Sequence, residues 1–205
     1  MLFHLFRSKR THVTLSSERW TLADIAALFD GLFADTYQTR LIKGDDEPLY
    51  MPADDATPYH RVIFARGYFA SALHEISHWC IAGAERRQRE DYGYWYLPDG
   101  RDANQQAAFE QAEIAPQALE HLFTRACERS FHVSVDNLGG AVEVDRAAFE
   151  AKVLARSERF EREGLPLRAR AFYHTLERFY QCSESLERAV TAGRAMLNQA
   201  SSVRR

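Results

Sequence analysis

Residues 68–83 read YFASALHEISHWCIAG and contain the pattern HExxH. Apolar residues recur at about helical period through this stretch, which predicts a helix that ends near Gly83, since glycine is favoured just past a helix end. Residues four apart lie on the same face of a helix, so His74 and His78 can reach one metal ion. The intervening Glu75 would lie near the open side of that metal, where it can transfer a proton to or from bound water.

A third ligand for this metal is expected outside the motif, because a catalytic metal usually has three protein ligands and an open position. The third histidine of the metzincin pattern is absent. Glu110 and Glu113 lie one turn apart on the next helical segment. We favour Glu113, the first residue of EIAPQALEHL, because it precedes an Ala/Leu-rich helix. In gluzincins, too, a later helix donates the glutamate. Asp91 is a further candidate.

The rest of the chain carries mostly helical patterns, with strand patterns in its first two-thirds. A helix is expected from Asp102, a good N-cap residue, and Pro116 should interrupt or restart it, because proline is tolerated only in the first turn. The segment GDDEPLYMPADDATP is predicted to be a loop. Further helices are predicted near residues 19–33, 144–163, 167–181 and 184–199, and strands at residues 36–44, 61–65 and 130–135.

Length and composition indicate one globular domain. The chain has 205 residues, of which 46% are hydrophobic and 27% charged, as in ordinary globular proteins. We therefore predict a flexible N-terminal extension at residues 1–16, a single metalloenzyme domain at residues 17–199 and a C-terminal tail at residues 200–205. The predicted fold class is α+β, a helix-rich single domain with a small sheet and a metal-binding HExxH helix.

Charge and cysteine content narrow the classes of partner and compartment. The net charge of −3 lacks the basic excess typical of nucleic-acid-binding proteins, so no nucleic-acid partner is predicted. No run approaches the roughly eighteen apolar residues of a membrane span, and the N-terminal apolar stretch is too short and interrupted for a signal peptide. Three widely spaced cysteines without a CxxC pattern are typical of reduced thiols. We expect a cytoplasmic protein with no membrane association.

Several blocks of sequence carry a resemblance that is more specific than HExxH alone. They are TRLIKGDDEPLYMPAD, HRVIFARGYFASALHEISHWCIAG, DYGYWYLPDGRD, FEQAEIAPQAL and VSVDNLGG. In this order and spacing the chain resembles the bacterial elongation factor P hydroxylase family, over about residues 33–180. The fold of that family is similar to that of a small bacterial metal-dependent endoribonuclease, which is consistent with an α+β domain.

The resemblance implies an iron-dependent, monooxygenase-type reaction. The family hydroxylates the lysine side chain of elongation factor P after a β-lysine has been attached to it. Its metal site looks like two histidines and one carboxylate, the arrangement suited to non-haem Fe(II) with O₂ as co-substrate. Carried onto this chain, the ligands are His74, His78 and Glu113. Glu75 would then be a second-shell or proton-transfer residue rather than a peptidase base.

Two segments are candidates for binding this substrate. A lysine that bears a β-lysyl amine brings positive charge, which Asp45, Asp46 and Glu47 in KGDDEP could attract. The alternative for these acids is a solvated turn. Tyr94 and Trp95 could stack on aliphatic or cationic parts of the substrate arm, and the alternative for them is packing in the core.

A zinc metallopeptidase of gluzincin type is the competing interpretation. It would use His74 and His78 as ligands and Glu75 to activate the zinc-bound water. The HExxH pattern is the only sequence feature that favours this class, because no peptidase substrate-cleft motif is recognisable. A metal-stabilised binding module without turnover is a third hypothesis.

Overall fold

The computed structural model describes residues 21–91, 100–135, 137 and 142–202. Within them, six helices and a three-stranded sheet form the helix-rich α+β domain predicted from the sequence, which confirms that prediction. The elements are α1 (Leu22–Tyr37), β1 (Thr39–Lys43), β2 (Leu49–Met51), β3 (His60–Phe64), α2 (Phe69–Ile81), α3 (Ala103–Ala126), α4 (Arg146–Glu163), α5 (Leu167–Leu176) and α6 (Leu186–Ser202). The predicted extension at residues 1–16 lies outside the described residues.

The sheet has β3 at its centre, in the order β1-β3-β2. β1 runs parallel to β3, with Leu41 opposite Val62, and β2 runs antiparallel to it, with Tyr50 also opposite Val62. β2 lies inside the segment predicted to be a loop, so that prediction is wrong for three residues. The Asp pairs and prolines of the segment hid a short apolar stretch whose backbone pairs with β3.

The hydrophobic core lies between α1, α2, α3 and α5. Phe33 and Trp79 have ring centroids 4.7 Å apart, and Phe123 and Phe172 meet edge to face at 5.1 Å. These four rings are almost fully buried. Trp79 belongs to α2 and lies about 100° around the helix from His78, so its burial anchors α2 in the core on a face that the histidines do not occupy. None of the described helices is both long and apolar enough to cross a membrane.

α3 is one continuous helix of 24 residues, which corrects the expected break at Pro116. The predicted N-cap at Asp102 is present and forms a capping box with Gln105. A proline in a helix interior removes one hydrogen bond and costs about 3 kcal/mol. α3 packs against α2, α4 and α5, so burial on several sides offsets that loss. All acids of α3 therefore share one helical register.

Residues 130–135, expected to be a strand, follow α3 as irregular chain without strand pairing. Side chains of α3 and α4 supply hydrogen bonds that a neighbouring strand would otherwise make. The Gln117 amide donates to the carbonyl of Ser134 and accepts from its N–H, at 2.7 and 3.0 Å. Arg146 donates to the carbonyl of Val133 at 2.7 Å. The alternating pattern thus reflects packing against a helix rather than a sheet.

Candidate metal centre

His74 and His78 lie one turn apart on α2 and face Glu113 on α3. The Nε2 atoms of the two histidines are 3.0 Å apart. One carboxylate oxygen of Glu113 lies 3.2 Å from Nε2 of His78, and the other lies 3.5 Å from Nε2 of His74. Ligand atoms of all three residues lie within 4.8 Å of one another, so the group could hold a metal ion.

The donor set and its spacing fit a divalent transition metal. Two imidazole nitrogens and a carboxylate oxygen are ligands that both zinc and iron accept. Ligand atoms about 3 Å apart can share one ion, because metal–ligand bonds to these atoms are about 2.1 Å long. The structure brings together the two histidines of the motif and the glutamate favoured from the sequence.

Glu120 fixes the orientation of the His74 ring. Its carboxylate oxygen lies 2.8 Å from Nδ1 of His74, and the Glu120 side chain is largely buried. A hydrogen on Nδ1 that is donated to this carboxylate leaves Nε2 without a proton, so Nε2 can bind a metal. A carboxylate behind a metal-binding histidine also makes the imidazole a stronger ligand.

Glu113 is held by Gln117, one turn further along α3. The Gln117 amide donates to Oε2 of Glu113 at 3.2 Å while its second hydrogen bond reaches the carbonyl of Ser134. Glu113 is 2% exposed. Burial would raise the pKa of its carboxyl, but the positive charges that His78 and His74 can carry outweigh burial and lower this pKa to about 2.

The electrostatics of the site favour a positive charge between these side chains. Burial opposes protonation of His74, but the carboxylates of Glu113 and Glu120 outweigh it and raise the pKa of His74 to about 10. A bound divalent cation meets the same need for positive charge. The buried carboxylates therefore fit a metal ion as well as the donor atoms do.

Comparison with known proteins decides the family. The family model described as elongation factor P hydroxylase matches residues 28–190. The chain belongs to the elongation factor P hydroxylase family. A curated relative from Haemophilus influenzae, named elongation factor P lysine hydroxylase, is 45% identical over 168 residues, which cover 82% of this chain and 94% of the relative.

In this member of the elongation factor P hydroxylase family, Glu75 lies beside the histidines on the same cavity wall. Burial raises the pKa of the Glu75 carboxyl, and the carboxylates of Glu113 and Glu120 raise it further, while His74 and His78 lower it. A carboxyl with a raised pKa next to a metal site can hold a proton and release it.

The three candidate ligands open onto a cavity of about 440 Å³. Tyr68, the residue before α2, lies at its mouth with 62% of its surface exposed. Asp46 also lines the cavity and forms an ion pair with Arg66 at 3.2 Å. Acidic side chains therefore line this cavity from the candidate ligands to its mouth.

The other sequence-predicted substrate residues are placed differently. Asp45 accepts a hydrogen bond from the N–H of Arg66 through its backbone carbonyl. Asp45 and Glu47 are absent from the described wall of the cavity, so only Asp46 of the three acids reaches it. Tyr94 and Trp95 lie outside the described residues.

The competing ligand candidates point elsewhere. Glu110 accepts from the amide of Gln106 at 3.1 Å and pairs with Lys152 at 3.6 Å. Asp91 forms an ion pair with Arg86. Neither acid joins the group of described residues that could hold a metal.

Glu120 and Gln117 also belong to this site, although neither was predicted from the sequence. Both could have been found by spacing, because Glu113, Gln117 and Glu120 stand at positions i, i+4 and i+7 of one helix and therefore share a face. The expected break at Pro116 concealed this, since a broken helix would have aimed these side chains in different directions.

Proposed function

We propose that this protein hydroxylates the lysine side chain of translation elongation factor P, after a β-lysyl group has been attached to that lysine. Membership of the elongation factor P hydroxylase family and the name of the Haemophilus influenzae relative support this substrate. The observation that carries the proposal is the convergence of His74, His78 and Glu113 at the wall of an open cavity. The reaction would take place in the cytoplasm.

We further propose that His74, His78 and Glu113 bind Fe(II), and that O₂ is the co-substrate. Two histidines and one carboxylate on one side of an iron ion leave other positions open. When bound, the iron supplies the activation of O₂ that hydroxylation of an unactivated C–H bond requires. Overall, one oxygen atom enters a methylene of the lysine chain, and the other leaves as water with electrons and protons from an external reductant.

The protein side chains hold the site and manage protons. Glu120 orients His74 through Nδ1, and Gln117 orients Glu113 through its Oε2 atom. Glu75, whose raised pKa allows it to carry a proton at its carboxyl, would deliver or accept a proton within the cavity. Burial of Glu113 limits the access of water to that carboxylate.

The acidic wall of the cavity suits a cationic substrate arm. Asp46 at the mouth and Glu75 and Glu120 further in would attract the ammonium groups of a β-lysylated lysine. The exposed ring of Tyr68 offers a face on which an ammonium or an aliphatic chain can rest. The role of Tyr94 and Trp95 in holding the arm is proposed on the same chemistry.

The mass of elongation factor P tests the proposal directly. Elongation factor P is isolated from cells that contain the gene for this protein, lack it, or carry a His74→Ala version. We expect the modified lysine to be heavier by one oxygen atom only with the unaltered gene. An identical mass in all three strains would overturn the proposed function.

A further inference from the structure

A second cavity, of about 660 Å³, lies against the opposite side of α2 from the metal-binding histidines. Cys80 lines it, and Cys80 projects about 160° away from His78 around the helix axis. Residues of α3, α4 and α5 and the end of α1 form its other walls. It shares no described lining residue with the cavity of the metal centre. This cleft is therefore separate from the proposed reaction site.

Three arginines line the cleft, Arg87, Arg156 and Arg168, and none of the described lining residues is acidic. Among the described residues, no carboxylate forms an ion pair with any of the three. Their guanidinium groups lie near aromatic rings instead. The guanidinium groups of Arg87 and Arg168 are each 5.5 Å from the ring centre of Tyr37. The guanidinium group of Arg156 is 4.1 Å from the ring centre of Phe160.

Arg168 has a structural role that uses only part of its guanidinium group. Its Nη2 atom donates to the carbonyls of Trp79, Cys80 and Ala82 at the end of α2, at 2.8, 3.1 and 2.6 Å. Its Nε atom is buried and has no hydrogen-bond acceptor in the structure. A buried donor without an acceptor is destabilising, so a ligand oxygen within reach would be favourable.

The positive charges in the cleft are not balanced from within. Burial and the nearby charge of Arg87 both lower the pKa of Arg168. The charge of Arg156 helps to lower the pKa of Glu163, but both carboxylate oxygens of Glu163 accept from Arg159, at 2.9 and 2.8 Å. Like charges that share a partly buried cleft repel each other, and a bound anion would relieve that repulsion.

The remaining walls of the cleft are apolar. They include Ile81, Ala115, Pro166 and Leu167 beside the ring of Phe160. Small-molecule sites are typically cavities of about 300–1,000 Å³ with apolar walls and a few convergent polar groups. The cleft meets this description, with guanidinium groups as its polar element.

We propose that this cleft binds a small organic anion, in which a carboxylate or phosphate group is carried on an apolar body. The anionic group would accept from the guanidinium groups, whose planar arrangement of N–H donors matches two oxygens at once. The apolar body would cover Leu167 and Phe160. An inorganic anion would use the arginines but leave these walls exposed to water.

Isothermal titration of the iron-loaded protein with naphthalene-2-sulfonate tests this proposal. The sulfonate group mimics the charge and the oxygens of the proposed ligand. Because a sulfonate is a poor ligand for iron, binding at the metal centre should not contribute to the measured heat. Sulfate supplies the charge without the apolar body, and 2-naphthol supplies the apolar body without the charge. We expect saturable binding of the sulfonate and at least about tenfold weaker binding of the other two.

Arg156→Gln and Arg162→Gln are matched variants on α4. Arg156 lines the cleft, whereas Arg162 is absent from its described lining and pairs with Glu158 at 3.8 Å on the exposed side of the same helix. We expect Arg156→Gln to weaken sulfonate binding about tenfold and Arg162→Gln to leave it unchanged. Absence of saturable binding, equal loss in both variants, or equal binding of sulfate would overturn the proposal. Binding of an acidic peptide without binding of the sulfonate would also overturn it.

Discussion

The Nδ1 atom of His74 lies 2.8 Å from a carboxylate oxygen of Glu120, across the contact between α2 and α3. This pair links the helix that carries the HExxH pattern to the helix that carries Glu113. Because Glu120 and Glu113 share one face of α3, a single helix provides both a ligand candidate and the group that orients another ligand. Any shift of α3 against α2 would disturb both contacts together.

Loss of Glu120 should weaken metal binding without unfolding the protein. In Glu120→Ala the Nδ1 atom of His74 loses its acceptor, and changes of this kind typically cost about 10–100-fold in metal affinity. Glu120→Gln keeps an acceptor oxygen but not the charge, so it should recover part of the loss. The measurement is the iron affinity of each variant by competition with a chelator. Wild-type affinity in Glu120→Ala would contradict the role given to this residue.

Replacement of either motif histidine should empty the site. We expect His74→Ala and His78→Ala to lose iron and turnover by more than 100-fold, because a lost ligand should cost more than a lost orienting contact, which costs about 10–100-fold. His121→Ala is the control, since His121 lies 3.1 Å from the hydroxyl of Ser157 and outside the metal-binding group. The readouts are iron content after anaerobic loading and the circular dichroism spectrum. A folded His74→Ala protein with full iron and full turnover would refute the assignment.

The glutamate inside HExxH separates a hydroxylase from a zinc peptidase. A peptidase that uses Glu75 to activate water would lose nearly all activity in Glu75→Gln. A hydroxylase whose iron is bound by His74, His78 and Glu113 should keep its metal in this variant, with reduced turnover from the lost proton carrier. Iron content and hydroxylation of elongation factor P are measured in parallel with a peptide-cleavage assay. Cleavage by the wild type that disappears in Glu75→Gln would favour the peptidase.

Gly193 tests the packing of α6 against α5 and α1. A Cβ atom at this position would clash with the hydroxyl of Thr175 and lie 2.7 Å from a methyl group of Leu32. We expect Gly193→Ala to lower the free energy of unfolding by about 1–3 kcal/mol, because overpacking outweighs the better helix propensity of alanine. Gly83→Ala is the control, since a Cβ atom there has no neighbour within 4 Å. The free energies of unfolding are measured with urea. The prediction would be wrong if Gly83→Ala proved less stable than Gly193→Ala.

The sequence predicts local features of this protein better than contacts between elements. The helix around HExxH and the N-cap at Asp102 could both be predicted from the sequence, because each depends on neighbouring residues within one helix. The strand predicted at residues 130–135 was wrong because the amide of Gln117 pairs with the backbone there, a contact between segments that periodicity cannot reveal. The break predicted at Pro116 was wrong for a similar reason, since packing of α3 on three other helices offsets the local cost of proline.

Replacement of the proposed third ligand is the most specific of these tests, because Glu110 and Glu113 lie three residues apart on one continuous helix. Glu113 faces the histidines, with oxygens 3.2 and 3.5 Å from their Nε2 atoms, whereas Glu110 pairs with Lys152 and Gln106. We therefore expect Glu113→Ala to lose iron as completely as a histidine variant, and Glu110→Ala to lose little.

Iron content and hydroxylation of elongation factor P are compared for the two variants side by side, with circular dichroism as the control for folding. If Glu110→Ala emptied the site while Glu113→Ala stayed loaded and active, the carboxylate would be misassigned although two histidines and one carboxylate still bound the metal. If both variants kept their iron, the third ligand would be neither of these glutamates. Asp91 would then be the next residue to replace, because it lines a small cavity next to Glu75 and His78.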